Sequence, residues 1–232
     1  MNIITIILLF ASVIAGALFV YIFKPKNEKN IQLLLTFSGA YLLAVSLCHL
    51  LPELFEYNTN KNYIGIYILA GFLIQNILEY FSQGIEHGHF HKTNTIPFSV
   101  LISLCLHALL EGMPLGGDLH NHTHNALLTG IVLHKMPVAI VLMTFFIQSR
   151  MTKLKSYLLL FVFAIMSPLG AFAGSFFQVI GDFHNEIMAV VIGILLHIST
   201  TILFESSDGH KFNAQKLITI IIGAFIAIMS LS

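Results

Sequence analysis

The sequence predicts an all-α integral membrane protein with eight transmembrane helices. Hydrophobic residues make up 56% of the 232 residues and charged residues only 9%, whereas a soluble domain typically carries about 25% charge. The apolar residues fall into eight segments, each near the roughly 20 residues that cross a bilayer core. No long hydrophilic stretch remains for a second domain, so we expect one membrane domain over residues 1–232.

The eight predicted helices are separated by turn and charge signals, as at 24–27, 58–62 and 181–185. The first segment has no positively charged start and no clear small-residue cleavage site, so we interpret it as a helix rather than a signal peptide. The predicted helices cover residues 2–23, 31–51, 63–81, 96–116, 125–147, 156–179, 186–204 and 214–231.

The basic residues predict the orientation of the chain in the membrane. Nine of the eleven Lys and Arg residues lie in or beside the odd-numbered loops, and Lys61 alone lies in an even one. This positive-inside asymmetry predicts cytoplasmic odd loops and places both termini outside. The even loops carry carboxylates and imidazoles that would attract cations, although ordinary solvation explains loop carboxylates equally well. The zero net charge gives no indication of nucleic-acid binding.

A cluster of ionisable side chains interrupts the apolar pattern of the fourth and fifth helices. His107 and Glu111 are four residues apart and therefore share one face of the fourth helix, while His134 and Lys135 lie within the fifth. Such side chains inside a membrane cost roughly 2.5–3.5 kcal/mol each on insertion scales, so they indicate a functional site. Pro114 follows Glu111 by three residues and Pro137 follows His134 by three, and we expect these prolines and also Pro168 to break their helices.

The two helices are joined by only about eight residues and should be antiparallel neighbours. His107 and His134 both lie about ten residues from this loop, so they can meet near the middle of the membrane. Two imidazoles and one carboxylate suit Zn²⁺, Fe²⁺, Co²⁺ or Ni²⁺ better than Mg²⁺ or Ca²⁺. The alternative is that each histidine only hydrogen-bonds between helices.

Lys135 has three interpretations. It pairs with Glu111, or it takes the place of a second metal ion, or it faces lipid and extends toward the interface, which at this depth is strained.

Other candidate ligands lie toward the two membrane faces. His49 and Glu53 at the external end of the second helix suggest an entrance, with a helix-end cap as the alternative. His197 and Glu205 in the seventh helix suggest an exit. Histidine-bearing loops indicate weak metal binding, with chance clustering as the alternative: His87, His89 and His91 lie inside, and His120, His122 and His124 lie outside.

These residues together resemble the ZIP (Zrt/Irt-like protein) family of divalent-metal transporters. The resemblance covers nearly the whole chain and includes the histidine-rich loop after the third helix. It is carried mainly by His107-Ala-Leu-Leu-Glu111-Gly112 in the fourth helix and His134-Lys135-Met136-Pro137-Val138-Ala139 in the fifth, with His49-Leu-Leu-Pro-Glu53 and Pro168-Leu-Gly170 in support.

The resemblance implies a fold, an activity and a cargo. The helices would form a 3+2+3 inverted repeat with the metal between the fourth and fifth helices. The protein would be an importer without catalytic cofactor, working by alternating access in the cell membrane. The transported ion would be Zn²⁺, or in some members Fe²⁺, Mn²⁺, Co²⁺ or Cd²⁺. A homodimer is the family-level expectation.

Carried over residue by residue, the resemblance implies that His107, Glu111 and His134 form the primary metal site. Many members hold a second ion beside it. Here the positions of that second site are occupied by residues that would not bind the ion, namely Ala108, Lys135, Val138 and Ser167. We therefore expect one central ion, with Lys135 in place of the second.

Two alternatives have other chemistry. An intramembrane zinc hydrolase would use Glu111 as a base, but the His-Glu-x-x-His motif is missing from the sequence. A haem protein would use His107 and His134 as axial ligands, but Glu111 and Lys135 crowd the same region.

Overall fold

The fold is all-α over the part of the chain that the structure describes. The structure is a computed structural model, and it describes residues 3–23, 28–56, 61–82, 98–117, 121–149, 151–180, 183–205 and 214–230. Seven of its helical segments are long and apolar enough to cross a membrane, and the last is a shorter apolar helix. Large apolar side chains cover much of its outer surface, as a bilayer-embedded protein requires. The predicted eight-helix membrane fold is confirmed.

We number the helices α1 to α8 in chain order. The second is continuous over residues 28–56 but contains three segments, and the fourth ends in a 3₁₀ turn. The bounds are Ile3–Phe23 for α1; Glu28–Val45, the π-helical turn Ser46–Leu50 and Leu51–Glu56 for α2; Lys61–Ser82 for α3; Phe98–Gly112 and the 3₁₀ turn Met113–Gly116 for α4; Asn121–Gln148 for α5; Lys153–Ile180 for α6; His184–Glu205 for α7; and Ala214–Met229 for α8.

Prolines interrupt the helices less than we expected. Pro114 has no N–H for a bond to the carbonyl of residue 110, and the chain tightens there into the 3₁₀ turn. The breaks expected at Pro137 and Pro168 were wrong, because both residues lie inside uninterrupted helices. Neighbouring helices in a membrane bundle can hold a helix continuous across one missing backbone hydrogen bond.

The helix pairs show the expected inverted repeat. The four most extensive pairings are α3 with α7, α1 with α5, α2 with α8, and α4 with α6. If α1, α2 and α3 are exchanged with α6, α7 and α8, and α4 with α5, the pair α3–α7 becomes α8–α2. The pair α1–α5 likewise becomes α6–α4. Because successive membrane-crossing helices run in opposite directions, an exchange of odd with even helices inverts the repeat.

The same pairings divide the helices into two groups. We call α1, α4, α5 and α6 the site bundle, and α2, α3, α7 and α8 the framework bundle. All four of the most extensive pairings lie within one bundle or the other. The main contacts across the boundary are α2 with α5 and α3 with α4.

Glycines allow the backbones of α4 and α6 to touch. Gly112 and Gly116 on α4 are spaced by four, as are Gly170 and Gly174 on α6. A Cβ added at Gly170 would lie 1.9 Å from the Leu109 carbonyl oxygen, and one at Gly174 would lie 1.9 Å from the Met113 carbonyl oxygen. Small residues at this spacing are the usual way for membrane helices to approach closely.

This contact predicts a sharp difference between two glycine substitutions. Gly170→Ala should lower the melting temperature of the detergent-purified protein by several degrees, because an added atom in a packed contact typically costs about 1–3 kcal/mol. Gly65→Ala adds the same methyl group on α3, where a Cβ would meet nothing within 4 Å. It should leave the melting temperature unchanged or slightly higher. Equal melting curves for the two variants would contradict the close contact of α4 with α6.

Candidate metal site

His107 and Glu111 lie side by side in the interior of the protein. Their four-residue spacing on α4 places them one helical turn apart, and His107 Nε2 is 3.5 Å from Glu111 Oε2. Both residues are at most 2% exposed. One face of α4 thus presents an imidazole and a carboxylate to the same buried space.

His134 faces this pair from α5. The ring centroids of His134 and His107 are 6.2 Å apart, with the rings nearly perpendicular. The three predicted ligands are therefore brought together, as the antiparallel arrangement of α4 and α5 suggested. Within the described parts of the chain, however, no group of three His, Cys, Asp or Glu side chains already has a geometry that could hold a metal ion. The three side chains or their helices would have to move closer together before they could converge on an ion.

Lys135 is buried beside the site and belongs to a chain of hydrogen bonds. Its ammonium donates to Ser167 Oγ, which in turn donates to the Ala108 carbonyl oxygen over 2.7 Å. The Lys135 Nζ also lies 4.6 Å from the centroid of the Phe163 ring. Because Lys135 is only 1% exposed, the lipid-facing interpretation is wrong. The ammonium bonds to Ser167 and interacts with Glu111 through its charge.

This chain of hydrogen bonds joins three of the four positions that depart from the two-ion pattern. Ala108, Lys135 and Ser167 come from α4, α5 and α6, and the hydrogen bonds of the lysine and the serine connect these three helices. The fourth position, Val138, is buried in the apolar core.

Sequence reasoning missed Gln75, which contacts His107 from α3. Its Oε1 lies 3.2 Å from His107 Nδ1, and the residue is 0% exposed. The one available signal was an amide in the middle of an apolar segment. Such a side chain needs a hydrogen-bond partner, but a single sequence does not reveal which one.

The proposed entrance residues lie in and just beyond the π-helical turn of α2. His49 is in that turn, and its buried Nε2 has no hydrogen-bond partner among the described residues. Glu53 accepts a hydrogen bond from the Thr123 hydroxyl of α5. Pi-helical turns occur frequently at functional sites. Helix α2 continues to Glu56, so the helix end expected near residue 51 was wrong.

The proposed exit residue His197 forms a pair that the sequence did not suggest. Its Nδ1 lies 3.3 Å from Glu79 Oε2 on α3, and its ring packs edge-on against Phe72. Glu205 ends α7, and its side chain lies outside the described residues.

The histidines expected in loops are only partly described. His87, His89, His91 and His120 lie outside the described residues, as does the side chain of His122. The external loop was expected to extend to His124, but α5 already begins at Asn121. His124 is therefore helical, and its Nε2 lies 3.0 Å from the Thr5 hydroxyl of α1.

Comparison with known proteins identifies the family. A family model described as ZIP zinc transporter matches residues 83–231, which include α4 to α8 and all three central ligands. This chain belongs to the ZIP family. It is thus a member of a membrane transporter family and not an enzyme, which decides against the hydrolase alternative.

One curated relative is the protein zntD of Dictyostelium discoideum. It is 33% identical over 107 residues, which is 40% of this chain and 16% of zntD. The match therefore spans about a sixth of that relative's length.

The buried lysine predicts the effect of removing its partner. Ser167→Ala should lower the melting temperature in detergent, because a buried hydrogen-bonding group left without its partner costs about 1–3 kcal/mol, and more when it is charged. Ser175→Ala on the same helix is the matched control, since its half-exposed hydroxyl bonds only the carbonyl of Phe172 in its own helix. A Ser167→Ala protein as stable as the control would show that Lys135 does not depend on Ser167.

Proposed function

We propose that this protein carries divalent transition-metal ions, chiefly Zn²⁺, across the membrane into the cytoplasm. The ion is held between α4 and α5 by His107, Glu111 and His134. One observation supports this most directly: the buried His107 imidazole lies beside both the buried Glu111 carboxylate and the buried His134 imidazole in a ZIP-family protein.

The donor set supports a transition metal as cargo. Imidazole nitrogens with one carboxylate suit borderline ions such as Zn²⁺, Fe²⁺ and Co²⁺, whereas Ca²⁺ and Mg²⁺ need more oxygen ligands. Mn²⁺ and Cd²⁺ are further candidates because of the family resemblance. Three protein ligands leave a coordination position for water, which suits a site that must also release its ion. The protein needs no catalytic cofactor for this function.

A single central ion is the stoichiometry we propose. Lys135 already supplies a positive charge where a second ion would bind, and its bonds to Ser167 hold it there. An ammonium in that position repels a second cation, and Ala108 and Val138 offer no side-chain ligand.

We propose alternating access by movement of the site bundle against the framework bundle. The central ligands all lie on the site bundle, on α4 and α5. Polar bonds that cross the boundary would break or change in such a movement. Among the described residues they include Thr123 to Glu53, the Ser103 hydroxyl to the Leu78 carbonyl oxygen, and His107 to Gln75.

The ion path runs from the external face to the cytoplasm. His49 and Glu53 would receive the ion outside, while His197 and Glu205 would receive it on the way in. The positive-inside asymmetry of the loops orients the protein, and the resemblance to ZIP importers implies the inward direction. We place the protein in the cell membrane, as one transport domain over residues 1–232 that acts as a homodimer.

Transport into liposomes tests the central assignment. Proteoliposomes containing the protein should accumulate Zn²⁺, and His107→Ala, Glu111→Gln or His134→Ala should reduce the initial rate at least tenfold, because each removes one of three ligands. The measurement is uptake of ⁶⁵Zn, with Fe²⁺, Mn²⁺, Co²⁺ and Cd²⁺ as competitors to rank the cargo.

His124→Ala is the matched control for the histidine variants. It removes an imidazole from the same helix as His134, but one held by Thr5 rather than by the site. It should retain most of the uptake. Uptake that survives both His107→Ala and Glu111→Gln, at equal protein content, would overturn the site.

Metal stoichiometry tests the role of Lys135. Lys135→Glu should raise the bound Zn²⁺ from one to two ions per chain, because a carboxylate then replaces the ammonium at the second position. Lys135→Met, which removes the charge and supplies no oxygen ligand, should still bind one. The ratio of Zn²⁺ to protein is measured by elemental analysis after dialysis. An unchanged ratio in Lys135→Glu would refute the proposal that Lys135 takes the place of a second ion.

A further inference from the structure

We propose that Gln75 is a positioning residue for His107, and that it organises the metal site only while the site bundle is docked on α3. This inference rests on the proposed function and assigns a role to a residue outside the predicted ligands. It depends on three features: the atoms that meet, the burial of the amide, and the helices to which the two residues belong.

The atoms that meet decide which imidazole nitrogen can bind metal. Oε1 of Gln75 is an acceptor, so His107 Nδ1 must carry the hydrogen in this contact. A neutral imidazole then has its lone pair on Nε2, the nitrogen that lies 3.5 Å from Glu111 Oε2. Gln75 thus selects the tautomer that presents a ligand nitrogen beside the carboxylate.

The burial of the amide makes this selection effective. Gln75 is 0% exposed and His107 is 2% exposed, so the contact lies in the interior of the protein. Partners that orient a ligating histidine usually raise its basicity as well. A neutral amide does so less strongly than a carboxylate, which suits a site that must release its ion.

The helices to which the residues belong make the contact dependent on conformation. Gln75 lies on α3 in the framework bundle, whereas His107 lies on α4 in the site bundle. One turn away, the Ser103 hydroxyl donates to the Leu78 carbonyl oxygen and docks the same two helices. A movement between the bundles separates His107 from Gln75, and the hydrogen of the imidazole is then no longer held on Nδ1.

Affinity and docking are therefore linked. If the docked conformation binds Zn²⁺ more tightly because His107 is held by Gln75, bound Zn²⁺ must stabilise that conformation to the same extent. The ion would leave more readily once the bundles have moved and Nδ1 has lost its partner. Gln75 thereby couples the position of the bundle to the strength of the site.

Zn²⁺ affinity in detergent tests this role without a transport assay. The dissociation constant is measured by competition with a chromogenic chelator for the wild type and for Gln75→Met, which removes the acceptor at similar volume. Loss of a partner that orients a ligand typically weakens metal binding about 10–100-fold, and we expect this for Gln75→Met. Gln75→Glu keeps an acceptor oxygen and should bind within about threefold of the wild type or more tightly.

Ser103→Ala separates ligand positioning from helix docking. It removes the neighbouring bond between α4 and α3 but leaves the Gln75 contact, so it should change the affinity less than threefold. The absorption spectrum of bound Co²⁺ is the second readout, and it should change in Gln75→Met but not in Ser103→Ala. If Gln75→Met does not fold, Gln75→Asn carries the same expectation, because its shorter amide does not reach His107.

The outcomes distinguish this inference from the proposed function. A wild-type protein that binds no Zn²⁺ overturns both. If the wild type binds Zn²⁺ and His107→Ala abolishes binding, the proposed site stands. In that case, Gln75→Met binding as tightly as the wild type, or no more weakly than Ser103→Ala, overturns the role of Gln75 alone.

Discussion

The buried ammonium of Lys135 is the constraint on which the site bundle depends. A charge in the interior must be hydrogen-bonded, because burying a charge without a partner costs far more free energy than one hydrogen bond contributes. Lys135 meets this need by donating to Ser167, which passes its own hydrogen to the Ala108 carbonyl oxygen. The arrangement requires α4 and α6 to lie in backbone contact. Gly112 allows it, since a Cβ there would lie 2.2 Å from the Ser167 carbonyl oxygen. The glycines thus allow the close contact of α4 and α6 through which Lys135 finds its hydrogen-bond partner.

His107 depends on two different kinds of support. Glu111 is its neighbour on the same helix, so their relation stays fixed in any movement that keeps α4 intact. Gln75 is its neighbour across the bundle boundary, so that relation lasts only while the bundles are docked. A transport protein needs both kinds of contact, because the ligands must travel together while their affinity for the ion changes. The contact of Lys135 with Ser167 is also of the lasting kind, since both residues lie in the site bundle.

Much of this could be predicted from the sequence wherever the relevant signal is local. Hydropathy located the eight helices, and the four-residue spacing of His107 and Glu111 placed them on one face. Helix ends made of polar residues were harder, and α5 begins at Asn121 within a stretch that hydropathy assigns to a loop. Prolines were also misleading, because α5 and α6 continue across Pro137 and Pro168. The pairs of Gln75 with His107 and Glu79 with His197 join residues far apart in the chain, and no periodicity indicates them.

The balance of charge explains why such a site can suit transport better than storage. Glu111 is the one carboxylate among the three proposed central ligands, and the ammonium of Lys135 already acts on it. An ion bound to His107, Glu111 and His134 would share that carboxylate's attraction with the lysine and would itself be repelled by the ammonium. Low dielectric strengthens both effects, because little water is present to screen them. The other two ligands are the imidazoles, and Gln75 holds the orientation of one of them, His107. A site that depends on orientation more than on net charge can change its affinity with a small movement, without having to neutralise or expose a buried charge.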